Sequence, residues 1–226
     1  MLARRRFFTP ELSRLQTTEA LLSSFDVDHI EPEALLWQAG YLTIHHVEQR
    51  RLGHFMYTLG YPNAEVECAL NEALVPQLGP PARPAAMARQ HLEDALRDGD
   101  MNAVEGAIRA LFASIPHDWY RNNPLGGYEG HYASVFYSHL AALGLDTRVE
   151  DATNHGRIDL SMRIGDRVYL FEFKVVDKDP EGKALAQLQG RAYAEKYRAP
   201  GVTVTLVGIE FGKEARNVVG FEVGTG

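Results

Sequence analysis

The sequence predicts an α/β domain built on a mixed β-sheet, preceded by a smaller and mainly helical module. Apolar residues recur at helical spacing in several segments of the chain. In the second half, segments rich in β-branched and aromatic residues alternate with these helical patterns. A stretch with three prolines, LGPPARPAA, separates the two halves. The order helix, strands, helix, strand after this stretch is typical of a mixed sheet flanked by helices.

The N-terminal module is predicted to span residues 1–79. Helical spacing occurs in TPELSRLQTTEALLSSF, EPEALLWQAG and AEVECALNEALV. Between the last two, YLTIHHVEQRRLGHFMYTLGYPN predicts two short strands around a polar turn. Helices with such a hairpin indicate a winged-helix-like module. DNA binding by this module ranks last among our hypotheses, because the predicted recognition helix contains no Lys or Arg.

Residues 80–86 are predicted to be a linker, and residues 87–226 the α/β domain. The domain begins with two amphipathic helices that break near Asp98-Gly99-Asp100, followed by a third helix in YEGHYASVFYSHLAALGL. The predicted strands are TRVEDAT, the two arms of GRIDLSMRIGDRVYLFEFKV, VTVTLVGIEF and NVVGFEV. GKALAQLQGRAYAEKYRA is predicted to form one helix between the hairpin and the next strand.

Composition restricts the classes of function. The 226 residues are 45% hydrophobic, which is enough for a substantial core. We find no apolar run of membrane-spanning length and no signal peptide, and the single cysteine, Cys68, fits a reducing, cytoplasmic location. The net charge of −7 is not that of a strong non-specific DNA binder. Contacts with nucleic acid must therefore be local, metal-assisted or made by a partner.

The hairpin brings ionisable residues together. Gly165-Asp166 fits a two-residue turn, which pairs Ile164 with Arg167 and, by extension, Asp159 with Glu172. Alternation then gives a core face with Ile158, Leu160, Met162, Ile164, Tyr169, Phe171 and Phe173. The other face carries Arg157, Asp159, Ser161, Arg163, Val168, Leu170, Glu172 and Lys174. A β-bulge would shift this register.

Two opposed carboxylates on neighbouring strands repel each other unless something offsets their charge. One interpretation is an exposed face, with water and the counter-ions Arg157 and Lys174 around the acids. The other is a divalent cation held by Asp159 and Glu172, since oxygen ligands suit Mg²⁺ or Mn²⁺. Lys174 would then lie beside the metal and stabilise developing negative charge. The hairpin alone leaves both interpretations open.

The pattern GRIDL followed by FEFKV resembles the Asp…Glu-x-Lys signature of the PD-(D/E)XK nuclease superfamily. The resemblance implies a restriction-endonuclease-like mixed sheet flanked by helices, with the motif on two neighbouring strands. Ile158 stands where many members have proline. The helix YEGHYASVFY resembles the one ahead of the core sheet, which carries a glutamate, here Glu129. ALAQLQGRAYAEKY resembles the helix after the lysine strand, with Gln187 and Tyr193 at matching places.

These resemblances imply roles for individual residues. Asp159 and Glu172 would be the metal ligands, and Lys174 would position water and offset phosphate charge. Glu129 and Gln187 are further catalytic candidates, although an ordinary helix-terminal acid and a surface glutamine explain them equally well. The candidates for nucleic-acid contacts are Arg191, four residues after Gln187, together with Arg157 and Tyr193. For Tyr193, packing against the sheet is the competing explanation.

A narrower resemblance covers the chain from about Phe25 to its end. The segments LLWQAGYLTI and YTLGYPNAEVECAL are similar to the region that joins an ATPase to a nuclease-like tail in bacterial AAA-ATPase-like proteins. No P-loop sequence occurs in this chain, so the ATPase part is missing. Under this resemblance, the chain is either a fragment or a shortened protein, and residues 1–79 contain a remnant of the ATPase lid region.

Two functions from different classes follow. The first is a Mg²⁺- or Mn²⁺-dependent phosphodiesterase that hydrolyses DNA or RNA with Asp159, Glu172 and Lys174. The second is a non-catalytic nuclease-like module that binds or regulates an ATPase or another protein partner, which the acidic charge favours. Neither function requires a membrane, and the sequence does not predict an oligomeric state.

Overall fold

The computed structural model describes residue 12 and residues 14–23, 31–78, 82–114, 129–153 and 156–226. The strands are β1 (Leu15–Thr18), β2 (Thr43–Arg51), β3 (His54–Gly60), β4 (Asp146–Thr153), β5 (Gly156–Ile164), β6 (Arg167–Val176), β7 (Thr203–Gly212) and β8 (Val218–Thr225). The helices are α1 (Glu19–Leu22), α2 (Pro32–Gln38), α3 (Ala64–Leu78), α4 (Ala82–Asp98), α5 (Met101–Ala113), α6 (Glu129–Ala141) and α7 (Lys183–Gly190). A 3₁₀ helix, Tyr193–Tyr197, follows α7.

The N-terminal part contains a three-stranded antiparallel sheet in the order β1-β3-β2. The predicted β2–β3 hairpin is confirmed. The helix predicted around residues 9–25 is wrong over Leu15–Thr18, because this segment is the strand β1 and pairs with β3. Pairing with a neighbouring strand here overrides the local helical spacing. Helix α3 packs on α6, where the Tyr137 hydroxyl donates a hydrogen bond to Glu67 Oε1.

The C-terminal part contains a five-stranded mixed sheet in the order β4-β5-β6-β7-β8. The pair β6–β7 is parallel, and the other neighbouring pairs are antiparallel. Helix α7 lies between β6 and β7 in the sequence, as a parallel connection requires. The predicted α/β fold, a mixed sheet flanked by helices, is confirmed.

Both faces of this sheet are buried. Helices α4, α5 and α6 cover one face, where a large apolar cluster includes Leu160, Met162, Ile164, Tyr169, Phe171 and Phe173. Helix α7 and the 3₁₀ helix cover the other face, where a smaller cluster contains Ile158, Val168, Leu170, Leu188, Tyr193, Ala194, Val204 and Leu206. The predicted core face is therefore confirmed except for Ile158. The pairing of β5 with β6 ends at Leu160–Phe171, whereas its pairing with β4 continues to Gly156, and Ile158 in this last part packs in the cluster on the opposite face.

Two further predictions about helices need correction. The helix predicted over GKALAQLQGRAYAEKYRA ends at Gly190, because Ala192 adopts a left-handed conformation with φ of 46°. Residues 82–86 of the predicted linker belong to α4, where Pro84 lies in the first turn and costs no helical hydrogen bond. Residues 79–81 lie outside the described residues, and the domain boundaries stay a prediction. No helix in the described part of the chain is long and apolar enough to cross a membrane.

Candidate metal centre

The β5–β6 hairpin places Asp159 beside the end of its ladder. The turn at Gly165-Asp166 and the pair Ile164–Arg167 are as predicted, and the ladder runs to Leu160–Phe171. Asp159 is the next residue of β5, and its Oδ2 accepts a hydrogen bond of 2.8 Å from the backbone N–H of Phe173. A side-chain oxygen thus bonds to the backbone of the neighbouring strand. This contact holds the Asp159 carboxylate against the backbone next to Glu172.

Glu172 lies in the interior, with 0% of its surface exposed. Its Oε1 accepts hydrogen bonds from the Lys174 ammonium, at 3.2 Å, and from the side-chain amide of Gln187 on α7. Its Oε2 is also buried and has no hydrogen-bond partner among the described residues. An exposed, water-covered pair of acids is therefore the wrong interpretation for Glu172. A buried carboxylate oxygen without a partner is energetically costly, which indicates a missing ligand such as a cation or water.

The electrostatics of Glu172 reflect this environment. Burial, together with the nearby negative charge of Asp159, raises the pKa of the Glu172 carboxyl to about 7, although Lys174 acts in the opposite direction. The Lys174 side chain is 23% exposed and therefore reaches solvent, although its partner Glu172 is buried. The positive charges of Lys174 and Arg191 both act on Glu172, and a bound cation would offset more of the charge of the two acids.

The two carboxylates fit a magnesium-type ion. No group of three or more His, Cys, Asp or Glu residues suited to a metal occurs in the described ranges. Mg²⁺ commonly binds to one or two protein carboxylates and takes its other ligands from water and substrate phosphates. Asp159 and the unpartnered Glu172 Oε2 match this requirement. Glu129 is the first residue of α6, but its side chain lies outside the described residues, so its predicted role stays a prediction.

The predicted nucleic-acid contacts have different environments. Arg157 is exposed on β5. Arg191 is exposed at the C-terminal cap of α7, where its backbone N–H donates a hydrogen bond of 3.2 Å to the Gln187 carbonyl, and its charge acts on Glu172. Its guanidinium donates a hydrogen bond of 2.9 Å to the Tyr193 hydroxyl. Tyr193 is 0% exposed and packs in the smaller cluster, so the competing explanation, packing against the sheet, is confirmed and contact of its ring with nucleic acid is not supported.

Sequence reasoning missed two residues on β7. Gly208 is the Cα partner of Glu172, and Glu210 is the partner of Lys174, in the parallel β6–β7 pair. Glu210 is 2% exposed, and its carboxylate accepts hydrogen bonds from backbone N–H groups at the start of α7. One signal was available in the sequence. A single acid inside the apolar strand VTVTLVGIEF requires buried partners.

Comparisons with known proteins agree with the C-terminal fold. Residues 127–221 match the profile of the PD-(D/E)XK nuclease superfamily, which supports a domain of that superfamily in this part of the chain. An uncharacterized protein in the vnfD 5′ region of Azotobacter chroococcum mcd 1 is 54% identical over 225 residues. The alignment covers 99% of this chain but 43% of that protein, so this chain spans less than half of the relative's length. No solved structure gave a significant match.

Proposed function

We propose that the C-terminal domain is a metal-dependent phosphodiesterase that hydrolyses DNA or RNA, with Mg²⁺ or Mn²⁺ held by Asp159 and Glu172. The observation that carries this proposal is the buried Glu172 Oε2, which has no partner among the described residues, in a side chain that interacts with Asp159 and Lys174. The match of residues 127–221 to a nuclease superfamily supports the same chemistry.

Each residue of the site has a separate task in this proposal. The Phe173 N–H fixes the Asp159 carboxylate, and the Gln187 amide fixes Glu172 through Oε1, so Oε2 stays available for the cation. A divalent cation, when bound, supplies a Lewis acid for the phosphoryl group and makes water a stronger acid. The Lys174 ammonium stabilises the negative charge that develops on the phosphoryl oxygens.

The substrate must be attracted locally, because the chain as a whole carries a charge of −7. Arg157 and Arg191 are exposed cations: Arg157 lies on β5, two residues before Asp159, and Arg191 lies four residues after Gln187. We propose that they contact phosphates on either side of the scissile one. Binding that depends on a few arginines should weaken with added salt, with a slope that reports the number of phosphate contacts.

A cleavage assay on single- and double-stranded DNA and RNA tests this function. The wild-type chain should cleave with Mg²⁺ or Mn²⁺ and stop when a chelator is added. Asp159→Ala should lose about a hundredfold or more of the rate, because it removes a metal ligand. Asp179→Ala, which removes an exposed acid after the end of β6, is the matched control and should keep the wild-type rate. Retained cleavage in a clean Asp159→Ala preparation would overturn the assignment.

The acidic net charge favours a second candidate, a nuclease-like module that binds a protein partner without turnover. Under this hypothesis, the chain shows no cleavage and no salt-dependent binding of nucleic acid even at low ionic strength. The partner predicted by the narrower resemblance is an ATPase. The relative, more than twice as long as this chain, leaves room for such a part, and the link to an ATPase remains a proposal.

A further inference from the structure

Glu210 is an ionisable residue in the buried interior of the sheet. It occupies the buried strand β7, between the apolar residues Ile209 and Phe211, and is 2% exposed. An unpaired carboxylate in such an environment is strongly destabilising. The partners of Glu210 therefore indicate what the residue does.

Those partners are the backbone donors that begin α7. The Glu210 carboxylate accepts hydrogen bonds from the N–H groups of Glu181, of Lys183 at 2.7 Å and of Ala184 at 3.3 Å. The first N–H groups of a helix lack partners within the helix, and the N-cap residue here is Gly182, which has no side chain to supply one. Burial alone would raise the pKa of Glu210, but the backbone hydrogen bonds from Glu181 to Ala184 outweigh it and lower the pKa. Glu210 thus caps α7 from a neighbouring strand.

Gly208 fixes the same helix at a second point. It precedes Glu210 by two residues, so the two share a face of β7. A Cβ atom at Gly208 would lie 2.8 Å from the Cα of Leu185, closer than real Cβ contacts allow. The backbone of α7 therefore touches the sheet at Gly208, which is the Cα partner of Glu172. A larger residue would push the helix away from the strand pair that carries the site.

The contacts of Glu210 and Gly208 with α7 are connected to the candidate metal centre through Gln187. Gln187 lies one turn after Lys183 and Ala184, on the same side of α7, and its amide donates to Glu172 Oε1. We infer that Glu210 is a positioning residue, which fixes the first turn of α7 against Gly208 and thereby places the Gln187 amide on Glu172. The hydrogen bond leaves Oε2 of Glu172 as the oxygen available to a cation. The consequence for metal binding rests on the proposed function, whereas the contact itself does not.

The first test needs no metal. In the metal-free 226-residue chain, the side-chain amide of Gln187 should have a shifted NMR resonance, identified by its absence in Gln187→Ala. Glu210→Gln and Gly208→Ala should each move this resonance towards that of a free glutamine and speed hydrogen exchange at Lys183 and Ala184. Glu214→Gln, an exposed glutamate after the same strand, should change neither. An unmoved resonance in folded Glu210→Gln would overturn the inference.

The second test separates positioning from a general effect on stability. Mn²⁺ titration should show that Glu210→Gln weakens binding about tenfold, the loss typical of residues that orient metal ligands. In a Gln187→Ala background, Glu210→Gln should weaken Mn²⁺ binding by little more, since the effect of Glu210 on the metal acts through Gln187. Equal losses in both backgrounds would contradict the inference. If the wild-type chain binds no Mn²⁺, the proposed function fails, and the NMR experiment still decides the positioning role.

Discussion

The two faces of the five-stranded sheet are both buried, but they are built from different kinds of residue. The face under α4, α5 and α6 is aromatic: Tyr132 stacks on Phe211 with ring centroids 3.9 Å apart, and Phe112 meets the same Phe211 ring edge-on at 4.7 Å. The face under α7 is apolar at one end of the strands and carries Glu172, Lys174 and Glu210 at the other.

The comparison teaches how a small domain tolerates buried charge. Fully buried aromatic side chains provide large apolar areas and favourable ring contacts, so the first face stabilises the sheet. The second face gives up part of that stabilisation to hold two carboxylates. These acids differ in turn, because backbone donors satisfy Glu210 and lower its pKa, whereas Glu172 has a raised pKa and an oxygen without a hydrogen-bond partner in the part of the chain that the structure describes. In our proposal, the first acid is structural and the second is available for a ligand.

The largest expected effect on stability comes from the aromatic face. Phe211→Ala removes a fully buried ring that contacts Phe112, Tyr132 and Phe173, and it should lower the free energy of unfolding by about 3–5 kcal/mol. Urea unfolding measures the loss. Val223→Ala, at an exposed position on β8, is the control and should change stability by less than about 0.5 kcal/mol. A loss below about 1 kcal/mol for Phe211→Ala would show that this face is not the main source of stability.

A change at Lys174 should separate catalysis from metal binding on the second face. Lys174→Met removes the ammonium beside Glu172, so cleavage should fall about 10²–10³-fold, as for other lost donors to a developing negative charge. Mn²⁺ binding, measured by calorimetry, should be kept or become tighter, since one positive charge leaves the site. Lys213→Met, at an exposed lysine paired with Asp177, is the control. Parallel loss of metal binding and cleavage would contradict the assigned role of Lys174.

The raised pKa of Glu172 predicts a dependence of stability on pH. The folded state holds this proton up to about pH 7, against a usual pKa of 4.5, so the unfolding free energy should fall as the pH rises through this window. In the metal-free protein, this loss of unfolding free energy is on the order of 3 kcal/mol. It should be absent in Glu172→Gln. Burial lowers the pKa of His139 to about 4, which gives the opposite slope, but this contribution cancels between the two proteins. Equal pH profiles for the wild type and Glu172→Gln would refute the prediction.

The sequence was sufficient to predict the hairpin and the ionisable residues that it brings together. The turn at Gly165-Asp166 determines the register, and strict alternation determines which side chains share a face. Together they predict that Asp159, Glu172 and Lys174 lie close to one another. The burial of Glu172 was not predictable in the same way, because it depends on a helix packed over that face.

The parts that sequence reasoning missed depend on contacts between distant segments. Strand β1 forms because β3 offers it an edge, and its own sequence spacing is helical. Glu210 caps a helix that begins 27 residues earlier in the chain, at Lys183, and no local pattern reveals that contact. Helix α7 ends at Gly190, and Tyr193 lies in a separate 3₁₀ helix rather than at its predicted place on one continuous helix.

Calorimetric titration of Mn²⁺ tests the central claim most directly. The wild-type chain should bind Mn²⁺, and Asp159→Ala should lose that binding while keeping the unfolding behaviour of the wild type. Asp179→Ala should bind as the wild type does, because the removed acid is exposed and lies outside the site. If the wild type binds no Mn²⁺, or if Asp159→Ala binds it with unchanged affinity, the opposed carboxylates are not a metal centre and the proposed chemistry is wrong.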